Sequence, residues 1–356
     1  MDTCEPSLRA LVYGGAVLGG GGGGSLAAGL KTMKRAAALG GPRIISLADL
    51  PPTAIIATLS AVGSAGKTSG SDLEDAHFTR AIELFQCFAA RRVDGFISSE
   101  VGPRAVTYGW CESARTGIPI VDAPANGRAH PLFLMGSFGL HRRHGYRPAA
   151  IAVGGRRNTA NYAEIAVRAS VVKAARMVRD HAARSKAALA VVRNAVPARY
   201  LEDNAAVGGL QFARKIGDAL LAASQGGTSS ILRALSRVMG GRVLAEGMIT
   251  ASRLRERQGF TIGVVQLCCR DGSRLAVPVC NEYMAVLHEG QPIVSFPDLV
   301  ALFDLSSGLP LASSDAEVNR PVAVFVVPRN KLILGRAMLD RSLLTQVERL
   351  VGLRLV

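Results

Sequence analysis

Apolar residues recur along this chain with two different periods, and the change from one to the other divides it. Residues 7–18 are almost wholly apolar and read as a short helix. Six glycines, Gly19 to Gly24, follow it, then Ser25 and a second helix over residues 26–39. Residues 43–47 and 54–59 are short β-branched runs separated by Asp49-Leu-Pro-Pro52, which predicts two strands and a turn. Residues 62–71 have the composition of a Gly/Ser loop. Over residues 75–91, Phe78, Ile82, Phe85 and Phe88 fall near helical spacing. Residues 95–99 read as a buried strand ending at Glu100, residues 107–115 as a helix, and Ile118-Pro-Ile-Val121 as a strand that delivers Asp122.

Residues 162–183 predict a long basic amphipathic helix, 187–192 a strand and 208–224 a further helix. From Ile231 the period changes. Residues 242–244, 260–268, 275–279, 284–287 and 322–327 are short strands divided by Gly, Asp and Pro turns, and residues 343–351 predict a closing helix. The pattern predicts an α/β protein in consecutive parts. Residues 1–160 form a layered N-terminal α/β domain with a mostly parallel sheet, and residues 161–230 a helical and strand connection packing on it. Residues 231–356 form a β-rich, barrel-like C-terminal domain. In parallel sheets ligands bind beyond the carboxyl ends of the strands. Glu100 and Asp122 both fall at that edge.

Composition supports a folded chain. At 356 residues there is length for two domains, and 49% hydrophobic against 19% charged residues is the balance of a globular protein. Aromatics are only 5%, so close backbone approach at Ala and Gly replaces a core of large rings. The longest uncharged stretch, residues 10–30, is broken by too many glycines to span a membrane. Asp2 and Glu5 without a basic flank argue against a secretory signal. Six scattered cysteines with no CxxC pair read as reduced thiols, so the expected location is cytoplasmic.

The net charge of +15 concentrates between Arg142 and Arg193. A basic face could bind nucleic acid, but that stretch has no interleaved aromatics, zinc spacing or RNA-recognition signature, so nucleic-acid binding ranks below the other readings. An anionic small molecule, or solvation alone, accounts for the charge.

Several residues could carry chemistry. The glycine run could present backbone N–H groups to an anion. It follows a helix, not a strand, and lacks both the Rossmann acid and a closing Gly-Lys pair, so no nucleotide is expected. Gly66-Lys67-Thr68 has the tail of a phosphate-binding loop without its first glycine, which is Ala61 here. The run from Asp122 to Pro131 is sharper, for it sets Asp122, Asn126, Arg128 and His130 close together after a strand. A carboxylate and an imidazole could share proton transfer, and Arg128 could fork an anionic group. The competing structural role has Asp122 capping its loop and pairing with Arg128. Asn281-Glu282 and Pro297-Asp298 stand at strand ends, where turn capping is the expected role. Cys111, beside Trp110 on an apolar helix, reads as a buried inert thiol. His141 and His144, with Arg142 and Arg143, read as a solvated basic loop.

An ordered series of motifs adds a resemblance. Leu18-Gly-Gly-Gly-Gly-Gly-Gly24, Glu100-Val-Gly102, Gly117-Ile-Pro-Ile-Val-Asp122 and Gly127-Arg-Ala-His-Pro131 resemble the N-terminal domain of the S-methyl thiohydantoin desulfurase family. Gly259-Phe-Thr-Ile-Gly263, Val279-Cys-Asn-Glu282 and Phe296-Pro-Asp-Leu-Val300 resemble its C-terminal domain, in the same order. The resemblance implies an α/β first domain, a β-rich second domain and a site near their junction. It also implies hydrolytic loss of methanethiol from a cyclic S-methyl thiohydantoin. Pro103, Ala105, Pro124, Leu132 and His130 depart from the family's usual residues and mark a distinct branch.

The leading expectation is therefore a hydrolase or lyase that adds water to a ring carbon of a small five-membered cyclic amide. Asp122, Glu100, His130 and Arg128 are the catalytic candidates. Gly21, Gly22, Gly23, Gly24, Ser25, Asn126, Asn281 and Glu282 are the candidate substrate contacts. A divalent metal, if used, would fall first to Asp122 and His130. A homo-oligomer is expected. The first alternative is a non-catalytic accessory subunit partnering a hydantoinase/oxoprolinase-type enzyme, and behind it stands a basic nucleic-acid-binding protein.

Overall fold

The computed structural model describes residues 1, 3–63, 73–185, 187–257 and 259–355. Asp2, Gly66-Lys67-Thr68 and most of the Gly/Ser loop around them lie outside the described residues.

Helices α1 (Glu5–Gly19) and α2 (Leu26–Ala38) flank the glycine run. The chain leaves α1 at Gly20 with φ 53°, the left-handed conformation that glycine adopts without strain. Ser25 Oγ accepts the N–H of Ala28 and caps α2. β1 (Ile44–Ile45) is shorter than the run over 43–47 predicts, because Leu47–Asp49 closes into a 3-10 turn capped reciprocally by Ser46 and Asp49. Then come β2 (Ile55–Val62), α3 (Asp75–Ala89), β3 (Gly95–Ser98), α4 (Trp110–Thr116) and β4 (Ile120–Val121). Helical crossovers from β2 to β3 and from β3 to β4 make these strands parallel.

The same sheet continues through β5 (Ala149–Gly154), β6 (Ala163–Arg168) and β7 (Leu189–Pro197), all antiparallel, in the order β1-β4-β3-β2-β7-β5-β6. It is parallel across its N-terminal strands and antiparallel beyond them. β5 escaped the sequence reading because Ala-Ala-Ile-Ala-Val-Gly is buried throughout and shows no alternation. The single helix expected over 162–183 is corrected to β6 followed by α5 (Val171–Ser185). Pairing of β6 with β5 from Ala149↔Arg168 to Gly154↔Ala163 decides residues 163–168, whose local pattern suits either element.

After α6 (Ala198–Glu202) come α7 (Gly209–Ala223) and α8 (Gly227–Met239). α8 occupies the start of the region read as β-rich, and buries Ile231, Leu232, Leu235 and Met239. Glycine brings α1 and α7 together. A Cβ on Gly14 would strike the Ala213 carbonyl, and one on Gly217 that of Ala10.

The C-terminal part is antiparallel and curls toward a half-barrel. It comprises β8 (Arg242–Arg257), β9 (Phe260–Cys269), β10 (Arg274–Cys280), β11 (Glu282–Tyr283) and β12 (Ala285–His288). β13 (Gln291–Ser295), β14 (Leu299–Asp304) and β15 (Pro321–Val327) complete it, before the closing helix α9 (Arg341–Val351). The order is β13-β12-β10-β9-β8-β15-β14, with β11 paired to β10. One buried cluster joins the two halves, from Leu11 and Phe96 through Ile216 and Leu235 to Phe303 and Phe325. Among the described residues no helix is long and apolar enough to cross a membrane.

Candidate functional site

The glycine run, the end of β3, the loop after β4, strand β7 and the β10–β11 junction surround a cavity of about 230 Å³ between the two halves. Gly21 to Gly24 and Ser25 form one wall. The run is glycine because both halves press on it. A Cβ on Gly21 would strike the Tyr283 ring, on Gly22 the Glu282 carboxyl, on Gly23 the backbone at Gly102 and on Gly24 the Arg104 side chain. Three of its carbonyls are tied to the surrounding chain: Tyr283 N–H donates to Gly20 O at 2.8 Å, Ser313 N–H to Gly21 O at 2.9 Å, and Arg104 N–H to Gly23 O at 3.1 Å.

Glu100 leaves β3 into this cavity. Its Oε2 accepts the backbone N–H of His130 at 3.1 Å. Burial is the main influence on its carboxyl and pushes the pKa up to about 7, against the opposing pull of the His130 N–H and the positive charges of Arg193 and Arg128. His130 Nε2 lies 3.2 Å from the Ser99 carbonyl and 3.6 Å from Glu100 Oε2. A carbonyl only accepts, so Nε2 carries the proton and Nδ1 the lone pair. That Nδ1 is buried with no partner among the described residues. Burial, with Arg193 and Arg128 nearby, lowers the imidazole pKa to about 3 and keeps the ring neutral.

Glu282 comes from the other half. It is 2% exposed, and its Oε2 has no hydrogen-bond partner among the described residues. Burial first, then the proximity of Glu100, drives its pKa well above the carboxylate range, with Arg128 opposing. The cavity thus holds two carboxyl groups that burial pushes up, Glu100 to about 7 and Glu282 well above its ordinary value. Asn281 lines it too; its Oδ1 accepts the Thr261 N–H at 3.0 Å and its backbone is left-handed at φ 61°.

Three sequence candidates stand elsewhere. Asp122 does not line the cavity, because its carboxylate is occupied at the start of α7: Oδ1 accepts Leu210 N–H at 2.6 Å and Oδ2 accepts Gln211 N–H at 3.2 Å. The suggested Asp122–His130 ligand pair is corrected on the same ground, since the carboxylate already serves that helix end. Asn126 is fully buried and ties two loops, donating to Met135 O at 2.9 Å and accepting Gly335 N–H at 3.1 Å. Arg128 crosses to the other half. Its Nη1 donates to Pro297 O at 3.1 Å and Asp298 O at 2.7 Å, while the guanidinium lies over the Phe296 ring. Burial lowers its pKa to about 10, still well above neutral. His141, read as solvated, instead has a side chain only 6% exposed: its Nε2 meets Asp340 Oδ2 at 2.8 Å and its Nδ1 meets Ser137 Oγ at 3.0 Å.

The sequence reading passed over Arg193, Arg179, Arg104 and Phe133, all of which line the cavity. Arg193 left one visible signal, a lone charge inside the apolar run Leu-Ala-Val-Val-Arg-Asn-Ala-Val of β7. Among the described residues no group of three or more His, Cys, Asp or Glu is placed to hold a metal ion.

Residues 6–161 match the S-Me-THD-like N-terminal domain and residues 169–340 the S-Me-THD-like C-terminal domain. The chain belongs to the S-Me-THD-like family. The fold is shared with a protein from Chromobacterium violaceum solved by X-ray crystallography, at 19% identity and a TM-score of 0.69. The match covers 97% of this chain and 95% of that one. No curated protein matches the sequence significantly. For this S-Me-THD-like chain the cavity lies where the two family domains meet, with Glu100 and His130 from one and Glu282 from the other.

Proposed function

We propose that this S-Me-THD-like protein hydrolyses a small five-membered cyclic amide of the S-methyl thiohydantoin or hydantoin type in the cavity between its halves. The observation that carries the reading is the convergence of Glu100 and Glu282 on one enclosed space. At about 230 Å³ that space is smaller than the roughly 300–1,000 Å³ of sites for drug-sized ligands, and suits a single small ring.

Two carboxyl groups that share one buried cavity, each disfavouring the other's charge, supply a base and an acid at the same pH. Glu100 takes a proton from water. The water oxygen bonds to the ring carbon that carries sulfur, and the carbon–nitrogen π pair moves onto the ring nitrogen. Glu282, in its protonated form, donates to that nitrogen. Collapse of the adduct re-forms a ring carbon–heteroatom double bond and breaks the carbon–sulfur bond. The proton on Glu100 leaves with the sulfur as methanethiol, the adduct's hydroxyl proton returns to Glu282, and the ring nitrogen keeps the proton it received, so the product carries a ring C=O beside an N–H. The neutral His130 fixes Glu100 through its backbone N–H and offers the Nδ1 lone pair to a ring N–H.

The experiment is incubation of the purified protein with S-methyl thiohydantoin, thiohydantoin and hydantoin, with and without chelator, following thiol release and ring opening. Methanethiol release that Glu100→Gln and Glu282→Gln each abolish supports the reading. No product from any ring, together with unchanged ring binding in both variants, overturns it.

A further inference from the structure

Arg193 is a charged residue in the interior of β7 and is 2% exposed. Burying a guanidinium is costly unless its donors are used. Nη1 donates to Phe133 O at 3.0 Å, Nε to Ser60 Oγ at 3.3 Å, and the group lies 3.5 Å from the centre of the Phe133 ring. Nη2 has no acceptor among the described residues. Gly136 keeps the space beside it clear, since a Cβ there would come within 2.8 Å of Nη2 and 3.2 Å of His130 Nε2. No carboxylate pairs with it within ion-pair distance among the described residues, although Glu100 lines the same cavity.

We infer that Arg193 is a catalytic cation of this site, taking the negative charge that passes from Glu100 to the bound ring as water adds. The inference rests on the hydrolytic reading above and assigns it a residue. Before the step, Glu100 is the anion in the cavity. Once it accepts the water proton it is neutral, and negative charge builds up on the ring nitrogen until Glu282 protonates it. The positive charge of Arg193 is fixed in the cavity wall by its bonds to Phe133 O and Ser60 Oγ, so it needs no reorganisation as the charge moves.

Formate, a single carboxylate small enough for the cavity, is the probe that does not depend on turnover. Calorimetry on the full chain is expected to show formate binding that Arg193→Met weakens at least 10-fold and Arg193→Lys weakens less. Absent formate binding, or binding unchanged in Arg193→Met, overturns the assignment. If Arg193→Met does not fold by circular dichroism, Arg193→Lys decides: formate binding and kcat both equal to those of the unaltered protein overturn it. On S-methyl thiohydantoin, Arg193→Met is expected to lower kcat by about 100-fold with KM little changed. A rise in KM at constant kcat would show that Arg193 binds a resident substrate anion instead, and would overturn the transfer of charge. If the unaltered protein turns over no ring at all, the hydrolytic reading falls and takes the charge-transfer role with it, while formate binding lost in Arg193→Met still shows an anion site.

Discussion

Glu100 and His130 meet through two contacts: Glu100 Oε2 accepts the His130 backbone N–H at 3.1 Å and stands 3.6 Å from Nε2 of the ring. Because the imidazole is neutral, this is a hydrogen-bonded pair and not an ion pair. Their pKa values move in opposite directions, Glu100 from 4.5 to about 7 and His130 from 6.5 to about 3. The folded state therefore binds the Glu100 proton more tightly than the unfolded chain does. That contribution to stability is complete below 4.5 and is lost as pH rises through about 7. His130 acts the other way, its contribution being present above 6.5 and lost as pH falls toward about 3. Relative to the unaltered protein, Glu100→Gln should gain stability with rising pH, and His130→Asn should gain it with falling pH. Denaturant unfolding across that range measures both slopes; parallel curves would refute the pKa assignments.

Turnover should follow the same carboxyl group. The rate on an S-methyl thiohydantoin is expected to rise with pH through an apparent pKa of about 7 as Glu100 ionises. Glu112, also raised to about 7 but bonded to Thr79 away from the cavity, serves as the control. Glu112→Gln should leave the limb in place, and a limb that moves with Glu112 would contradict the assignment to Glu100.

Asp122 should behave as a structural residue. Its carboxylate accepts two backbone N–H groups at the start of α7. Asp122→Ala is expected to cost about 2 kcal/mol of stability, the worth of hydrogen bonds to a charged group. The kcat per folded molecule should stay within a few-fold. Thermal melts and active-site-normalised rates separate the two effects, and a rate collapse at unchanged stability would return Asp122 to the catalytic set.

Gly22→Ala tests the glycine wall. The added methyl would meet the Glu282 carboxyl, which must then move, and such overpacking costs about 1–3 kcal/mol. The expected result is a folded protein with turnover reduced at least 10-fold, read from rates beside circular dichroism. Turnover retained in full would show that Glu282 need not sit where it does.

Arg128→Met removes the guanidinium that reaches Pro297 O, Asp298 O and Ala129 O. It leaves three carbonyls unpaired and the Glu282 carboxyl without its opposing charge. A loss of about 3 kcal/mol or more is expected, with unfolding of both halves at lower denaturant. A change below 1 kcal/mol in equilibrium unfolding would mean that the hydrophobic cluster alone holds the halves together.

The sequence by itself determined the local elements with strong periods and the order of the motifs. α1, α2, α3, β3 and α9 all follow from apolar spacing, Ser25 as a cap and the glycine exit from α1. It also set Glu100, His130, the glycine run and Asn281-Glu282 apart as candidates, since polar groups at strand ends leave a local signature. Partner choice was decided only by tertiary structure. Asp122 and Arg128 sit in the same polar run as His130, yet one carboxylate is taken by α7, far along the chain, and one guanidinium by the loop before β14. β6 became a strand because β5 lay beside it. Glu282 became a buried acid, and not a turn cap, because residues distant in sequence removed it from water. Arg193 became part of the cavity because an antiparallel strand carried it beside Phe133 and Glu100. A charge's pKa and partner depend on the neighbours and the water around it, and those belong to the folded chain.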